Sequence, residues 1–302
     1  MSTVSLSPKE KSSLDGIFNW IGENFHQFQL PNNSDIEVAL GALKPLGELV
    51  LTMEIFHSRG YRKQDCENYI SHAWNAVSNG DALLNALAAR PDLIVLSSLY
   101  SNFKKFRHSN IRLEKLLVHL LNTDACNSLE FPYWRKLDLL HAAEHLGINC
   151  MPDVADKDCW FFCSPEPWIM SNDIAYAVTH DVFYLSDFGR ARTDRFSKNS
   201  LTYLKSWTHS WLRLFSDQKN WDIVSEFLMV SQCINEGKKA EQYYSFIIDA
   251  QESDGLVPSP IGAGKQLLDL EKNPDKRRQR FLSNYHTCLV AGMALAMKSP
   301  CA

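Results

Sequence analysis

The sequence has no long hydrophobic run and no strong excess of either charge. Its purely apolar runs are only a few residues long, far short of the ~20 residues that cross a bilayer as a helix. The first residues also lack the apolar segment that signal peptides carry. With 31 basic and 35 acidic residues the net charge is −4, which does not indicate a surface for nucleic acid or anionic lipid. We therefore expect a cytoplasmic protein that binds neither nucleic acid nor membrane.

Cysteine pairs at metal-binding spacing are also scarce. The eight cysteines are scattered, and the close pair Cys159 and Cys163 has no second pair at the spacing of a zinc ribbon. In a protein that is not secreted such cysteines are expected to be reduced, and buried free thiols are preferred over metal ligands as an interpretation. Hydrophobic residues make up 45% and charged residues 22% of the chain, an ordinary globular composition. We predict a single domain over residues 1–302.

The alternation with period two that is typical of half-buried β-strands does not extend over more than a few residues. Apolar residues recur instead at helical spacing. Pro45 is expected to end or kink the second helix, segment 149–167 to form a long loop, and segment 262–279 to form a polar surface loop. The predicted helices lie near 14–28, 36–56, 64–78, 92–106, 111–122, 132–147, 172–188, 198–216, 219–236, 238–252 and 282–297. This pattern predicts an all-α protein built from helical hairpins.

Two motifs near the end of the chain resemble those of one helical superfamily. Residues 246–257 read FIIDAQESDGLV, an aromatic–aliphatic pair followed by Gln251 and Gly255. This is similar to the repeat of terpenoid cyclases and protein prenyltransferases, with Val257 in place of the usual tryptophan. Residues 285–292, YHTCLVAG, resemble the Tyr-His-Thr-Cys segment of prenyltransferase β subunits. The chain is identified as a divergent, bacterial-type member of the α/α-toroid superfamily, whose fold has about six helical hairpins around a central cavity.

The resemblance implies a metal site that the sequence matches only in part. In prenyltransferases the histidine of this segment, here His286, binds zinc together with an aspartate and a cysteine two residues apart. Asp222 matches the aspartate, but Val224 stands at the cysteine position and offers no ligand atom. His180 could replace the thiolate, so His286, Asp222 and His180 are the candidate ligands for zinc or another divalent metal; the alternative is that these cavity histidines bind no metal. The missing thiolate disfavours prenyl transfer itself.

A polar stripe on the predicted helix 172–188 indicates a face that lines a cavity. Tyr176, His180, Tyr184 and Asp187 follow one another at spacings of four, four and three, which places them on one side of a helix. A histidine can act as base or ligand near neutral pH, and an aspartate can orient it. The alternative is a buried histidine that a tyrosine hydroxyl and a carboxylate satisfy. The predicted catalytic residues are His180, Asp187, Tyr184, Tyr285 and His286.

Two further motifs match known patterns only formally. His141-Ala-Ala-Glu-His145 has the histidine spacing of a helical zinc site, but the partner segment is missing, so a solvated or capping helix end is the preferred interpretation. Residues 262–265, GAGK, resemble a phosphate loop. Ser259 and Gln266 stand where that loop needs Gly and Ser or Thr, so we reject it.

The sequence favours an enzyme without deciding its reaction. A central apolar cavity with histidine, tyrosine and aspartate side chains suits acid–base chemistry, with or without one metal ion. Cyclisation, elimination or hydrolysis of a small or lipophilic molecule would fit, and specialised-metabolite biosynthesis is the setting that the resemblance suggests. The alternative is a non-catalytic helical binding or scaffold protein, which an aromatic-filled cavity, or a long distance between His180 and His286, would favour.

Overall fold

The described chain is helical throughout. The computed structural model describes residues 6–30, 36–149, 159–191, 195–260 and 276–301, and within these ranges it contains helices and turns but no β-strand. This confirms the all-α prediction. The α-helices are α1 (Pro8–Glu23), α2 (Ile36–Ser58), α3 (Lys63–Ala76), α4 (Asp81–Ala89), α5 (Leu96–Lys105), α6 (Ile111–Leu121), α7 (Asp124–Ser128), α8 (Tyr133–Leu146), α9 (Asn172–Leu185), α10 (Lys198–Asp217), α11 (Trp221–Cys233), α12 (Glu241–Ala250) and α13 (Lys276–Ala296).

Side-chain caps define where several of these helices begin. Ser7 and Glu10 form a reciprocal capping box at the start of α1, which satisfies two backbone N–H groups that the first turn leaves free. Ser171 caps α9 and Asn220 caps α11 in a related manner, each by accepting from a backbone N–H three residues later. The helices that carry the polar residues of the cavity therefore have fixed starting points.

Several predicted helix limits were wrong. Of the two outcomes expected for Pro45, an end of the helix is excluded, because α2 continues through it. A proline removes one backbone hydrogen bond, but full burial of the following Leu46 and Leu49 outweighs that loss. The sequence pattern missed α4, a helix of only nine residues, and α13 begins about two turns before residue 282.

The predicted loop 149–167 is described only in part. From residue 159 onward it contains two short 3₁₀ turns, Trp160–Cys163 and Pro167–Ile169. The rejected phosphate-loop motif at 262–265 lies outside the described residues.

Six helices follow one another in a closed sequence of contacts. Helix α2 packs against α5, α5 against α8, α8 against α9, α9 against α11, α11 against α13, and α13 again against α2. The other long helices pack on members of this sequence or on one another: α3 contacts α2, α10 contacts α11, and α1 contacts both α13 and α12. We refer to the six as the contact ring.

Three pairs of neighbours in the contact ring run parallel: α8 and α9, α9 and α11, and α2 and α13. Between α8 and α9 the contacts advance in the same direction along both segments, because Trp134 contacts His180 and the later His141 contacts the later Asp187. The two residues of each pair lie 46 positions apart in the sequence. The same separation recurs between α9 and α11. Parallel neighbours need a return helix between them, and α10 and α12 lie in sequence where such returns are required. The contacts that advance in register are Trp134–His180 and His141–Asp187, Tyr176–Asp222 and Thr179–Glu226, and Glu48–His286 and Phe56–Gly292.

The buried apolar side chains of both chain ends belong to one core cluster. Leu14 in α1 and Met297 just after α13 are both members and almost fully buried. This shared core supports the prediction of a single domain over residues 1–302, which stays a prediction. No helix in the described ranges combines the length and the apolar character that crossing a membrane requires.

The motif around Gln251 joins the end of α12 to α1. The Gln251 side-chain amide donates to the carbonyl oxygens of Ser13, at 3.0 Å, and Gly255, at 2.9 Å. Gly255 has a φ of +94°, and a Cβ at this position would lie 2.1 Å from the carbonyl oxygen of Gly16. Only glycine permits this approach of two backbones. Helix α12, which ends just before Gln251, lies outside the contact ring.

We expect Gly255→Ala to lower the free energy of unfolding by about 3 kcal/mol or more, because the new methyl group meets backbone atoms that cannot rotate away. Gly147 is the matched control. Its φ is also positive, at +68°, but a Cβ added there would meet no other part of the described chain within 4 Å, so Gly147→Ala should cost only about 1 kcal/mol. Urea unfolding of both variants measures the difference, and equal losses would contradict the account.

Candidate active site

A cavity of about 590 Å³ lies among five helices of the contact ring. Its walls come from α2, α8, α9, α11 and α13, with apolar side chains that include Leu51, Phe183 and Met293. A second cavity of about 380 Å³ shares Glu48 and Tyr184 with it, so the two adjoin. A space of this size and mixed lining is typical of small-molecule sites. We call the two together the central cavity.

His286 lies between two carboxylates on the cavity wall. Its Nδ1 is 2.8 Å from Glu48 Oε2, and its Nε2 is 3.6 Å from Asp222 Oδ1. Burial lowers the pKa of His286, but the charges of Glu48 and Asp222 outweigh this and raise it to about 10. Burial likewise raises the pKa of Glu48, yet the charge and hydrogen bond of His286 bring it below its ordinary value. At neutral pH His286 is therefore an imidazolium held by an ionised Glu48.

Glu226 lies in the opposite protonation state one helix away. Its side chain is 3% exposed and accepts a hydrogen bond from the Thr179 hydroxyl. Burial, followed by the negative charge of Asp222, raises the pKa of Glu226 to about 8. The two carboxylates, one turn apart on α11, thus differ in role: Asp222 lies beside the His286 ring, and Glu226 keeps a proton at pH 7.

The tautomer of His180 follows from its hydrogen bond. Its Nδ1 lies 2.8 Å from the carbonyl oxygen of Tyr176, and a carbonyl has no proton to give, so Nδ1 carries the proton and donates. Burial and the nearby positive charge of His286 lower the pKa of His180 to about 4. The ring is neutral at pH 7, which leaves Nε2 with a free lone pair. Nδ1 is 3.7 Å from Glu226 Oε2.

The predicted tyrosines are hydrogen-bonded phenols. Tyr176 donates to Asp222, Tyr184 interacts with Asp138 and Tyr285 with Glu48. Burial raises the pKa of all three phenols, so they remain protonated donors at neutral pH. They orient the carboxylates of the central cavity.

The sequence between residues 14 and 296 matches the model of the family described as "Domain of unknown function (DUF6895)". The chain belongs to this family. No curated protein and no solved structure matches it. The residues of this DUF6895 member therefore have to be interpreted from their chemistry.

Asp187 does not share the cavity face with His180. Helix α9 ends at Leu185, and Asp187 has a φ of +47°, so the polar stripe does not continue to this residue. Asp187 Oδ1 lies instead 2.7 Å from His141 Nε2 and pairs with Arg190. The expectation that Asp187 orients His180 was wrong because the helix ends two residues earlier than the spacing required.

The ligand set implied by the resemblance does not fit zinc. Val224 is fully buried and apolar where the thiolate should be. His286 Nδ1 is occupied by Glu48, and Nε2 stands 3.6 Å from Asp222. Among the described residues, the group of three whose ligand atoms all lie within 4.8 Å of one another does not include His286 or His180. We therefore assign no metal ion to His286, Asp222 and His180.

Glu48 and Glu226 were not predicted from the sequence. Both are single acids within otherwise apolar helix segments, LGELVL and VSEFLM, where a buried charge needs a partner. That pattern was the available signal. The site groups that the sequence did indicate in the cavity are Tyr176, His180, Tyr184, Asp222 and His286, with Tyr285 beside Glu48.

We expect the stability of the protein to fall as pH rises, in part through Glu226. Its folded pKa of about 8 lies above the unfolded value of about 4.3, so the folded state binds the proton more tightly. Stability from this group is present in full below pH 4 and is lost between about pH 4 and 8. His286, raised to about 10, extends the loss from about pH 6.5 to 10.

Urea unfolding of wild type and Glu226→Gln at several pH values isolates the first group. Near pH 5 the two should have similar free energies of unfolding. By pH 8 the variant should exceed wild type by about 2–4 kcal/mol. If the free energies of unfolding of wild type and Glu226→Gln differ by the same amount at every pH from 5 to 8, Glu226 does not hold its proton.

Proposed function

We propose that this DUF6895 protein is an enzyme that transfers protons to and from a small, largely apolar molecule bound in the central cavity. One observation carries the proposal. The protonated Glu226 and the neutral His180 lie side by side on the cavity wall, with Glu226 Oε2 and His180 Nδ1 3.7 Å apart. At pH 7 the carboxylic acid still has a proton to donate, and the neutral imidazole has a lone pair that can accept one.

The proposed architecture is an α/α toroid. The closed sequence of contacts among α2, α5, α8, α9, α11 and α13 supports it. So does the parallel direction of three pairs of neighbours in this ring, with returns through helices that pack outside. The central cavity then corresponds to the space inside the inner helices.

Each polar group has a distinct proposed role. Glu226 donates a proton to the substrate, because its pKa of about 8 matches a general acid at neutral pH. His180 Nε2, the unprotonated nitrogen, accepts one. The His286 cation is held by Glu48 and Asp222 on either side of its ring, so its role is to keep these carboxylates in place at the cavity wall. Elimination, cyclisation and hydrolysis are the reactions that such a set performs.

The lining of the cavity supports one class of substrate. Apolar side chains from α9, α11 and α13, among them Phe183, Met229 and Leu289, line it together with the acid, the base and the imidazolium. A molecule with a lipophilic body and one polar, proton-accepting group matches both kinds of side chain.

The test uses a complex extract of small metabolites, since no substrate needs to be known beforehand. Purified wild-type protein should deplete one component and produce another, as followed by mass spectrometry, and Glu226→Gln should not. The non-catalytic binding or scaffold alternative predicts that components are retained by the protein but that none is converted.

A further inference from the structure

A separate polar cavity lies at the end of the contact ring where α2, α5, α8 and α9 finish. Its volume is about 790 Å³, and charged side chains line it, including Glu54, Lys105, His145, Asp187 and Arg190. The acid–base groups Glu226, His180 and His286 do not line this cavity. A role for it does not require these acid–base groups, although the neighbouring His141 also lines the central cavity.

Three metal-ligating side chains converge at the wall of this cavity. His141 Nε2 and His145 Nε2 are 3.1 Å apart. Asp187 Oδ1 lies 2.7 Å from the first and 3.3 Å from the second. Three ligands on one face of a divalent transition metal, at bond lengths of about 2.0–2.2 Å, lie about 3.0–3.5 Å from one another. The observed triangle is close to that size before any ion is bound.

The fold explains why these side chains meet. His141 and His145 are one turn apart on α8 and so share a face. Asp187 and Phe188 both have positive φ values, +47° and +53°, a conformation that costs free energy for residues other than glycine. Arg59 secures this turn by donating to the Phe188 carbonyl at 2.7 Å.

Each histidine Nε2 in this cluster bears a proton or a lone pair according to the tautomer of its ring. Asp187 Oδ1 has three nitrogen atoms within 3.3 Å, from His141, His145 and Arg190, and the two Nε2 atoms face one another. With the ring protons on Nδ1, both Nε2 lone pairs and the carboxylate oxygen are free to bind one cation. Arg190 would then orient the aspartate from outside, as partners of metal ligands commonly do, while Glu54 balances the Arg190 charge at 2.6 Å.

We propose that His141, His145 and Asp187 bind one divalent transition-metal ion of the zinc type, with its open coordination positions facing the 790 Å³ cavity. Two histidines and one carboxylate form a recurrent set for zinc and for non-haem iron. The histidine spacing that the sequence favoured as a solvated or capping helix end is thus the ligand pair of a metal site. The third ligand, which the sequence pattern did not indicate, is Asp187, 42 positions beyond His145.

Metal-free protein titrated with zinc in a calorimeter tests this site. Wild type should bind one equivalent that His145→Ala and Asp187→Asn lose or bind at least about 100-fold more weakly. His145 is only partly buried, so its variant should fold, which circular dichroism checks. His119→Ala, an exposed histidine on α6, and His286→Ala, in the central cavity, should bind as wild type does.

Cobalt gives a second readout that distinguishes ligand types. In the proposed site it should show visible bands without thiolate charge transfer, because no cysteine belongs to the set. No zinc binding in wild type would overturn the proposal. Binding that survives in His145→Ala and Asp187→Asn, or that disappears in His286→Ala, would overturn it as well.

Discussion

Replacing Glu226 by glutamine should abolish turnover and stabilise the protein at the same pH. Glutamine keeps the shape and accepts the Thr179 hydroxyl hydrogen bond, but it has no acidic proton. Loss of a general acid reduces rates by about 10²–10⁴-fold. The same change removes a buried group whose ionisation destabilises the folded state as pH rises. Glu226→Gln should therefore lower the turnover rate but raise the free energy of unfolding.

The opposite signs separate a catalytic role from a structural one. If Glu226 only held the fold together, the variant would lose activity and stability together. Glu130→Gln is the matched control, since Glu130 is an exposed glutamate, and it should change neither property. Full conversion of the wild-type substrate by Glu226→Gln would contradict the proposed role.

Lys298→Ala should lower the free energy of unfolding by about 3–5 kcal/mol, the cost of breaking a buried ion pair from one side. The Lys298 side chain is 1% exposed. Its ammonium binds Glu10 of α1 and lies 2.6 Å from Glu241 of α12, over the ring of Tyr244. It therefore joins both ends of the chain, and its removal leaves Glu10 buried without a cation.

Two variants keep this prediction specific. Lys239→Ala removes an exposed lysine that pairs with Glu236 at 2.8 Å, and should change stability by no more than about 1 kcal/mol. Adding Glu10→Gln to Lys298→Ala should restore part of the lost stability, because the carboxylate that then remains unpaired, Glu241, is exposed to water. Urea unfolding measures all three, and a loss below about 1 kcal/mol for Lys298→Ala would contradict the expected cost of a broken buried pair.

Most helices could be predicted from the sequence because apolar residues at helical spacing indicate both where a helix forms and which of its faces is buried. Leu14 and Ile17 in α1 are fully buried, as their spacing predicts. Local rules failed where tertiary packing dominates. Pro45 breaks isolated helices, yet the core on both sides of it is buried strongly enough to carry α2 through.

The central cavity was predictable in part, through the spacing on one helix and a motif on another. His180 and His286 do line one cavity. Their partners Glu48 and Glu226 lie far away in sequence, and no local pattern links residues 238 positions apart. The position of Asp187 was predicted wrongly for a different reason. Asp187 and Phe188 have left-handed backbone conformations after the end of α9, and the Asp187 side chain contacts His141. Helical spacing cannot report where a helix ends in such a turn.

The protonation state of Glu226 tests the central claim most directly. Carbon NMR of protein labelled at the glutamate carboxyl carbons, titrated from pH 4 to 10, reports each side chain separately. The account predicts one resonance with a midpoint near pH 8, which disappears in Glu226→Gln. If every glutamate carboxyl titrates below pH 6, Glu226 is ionised at neutral pH and cannot be the proton donor.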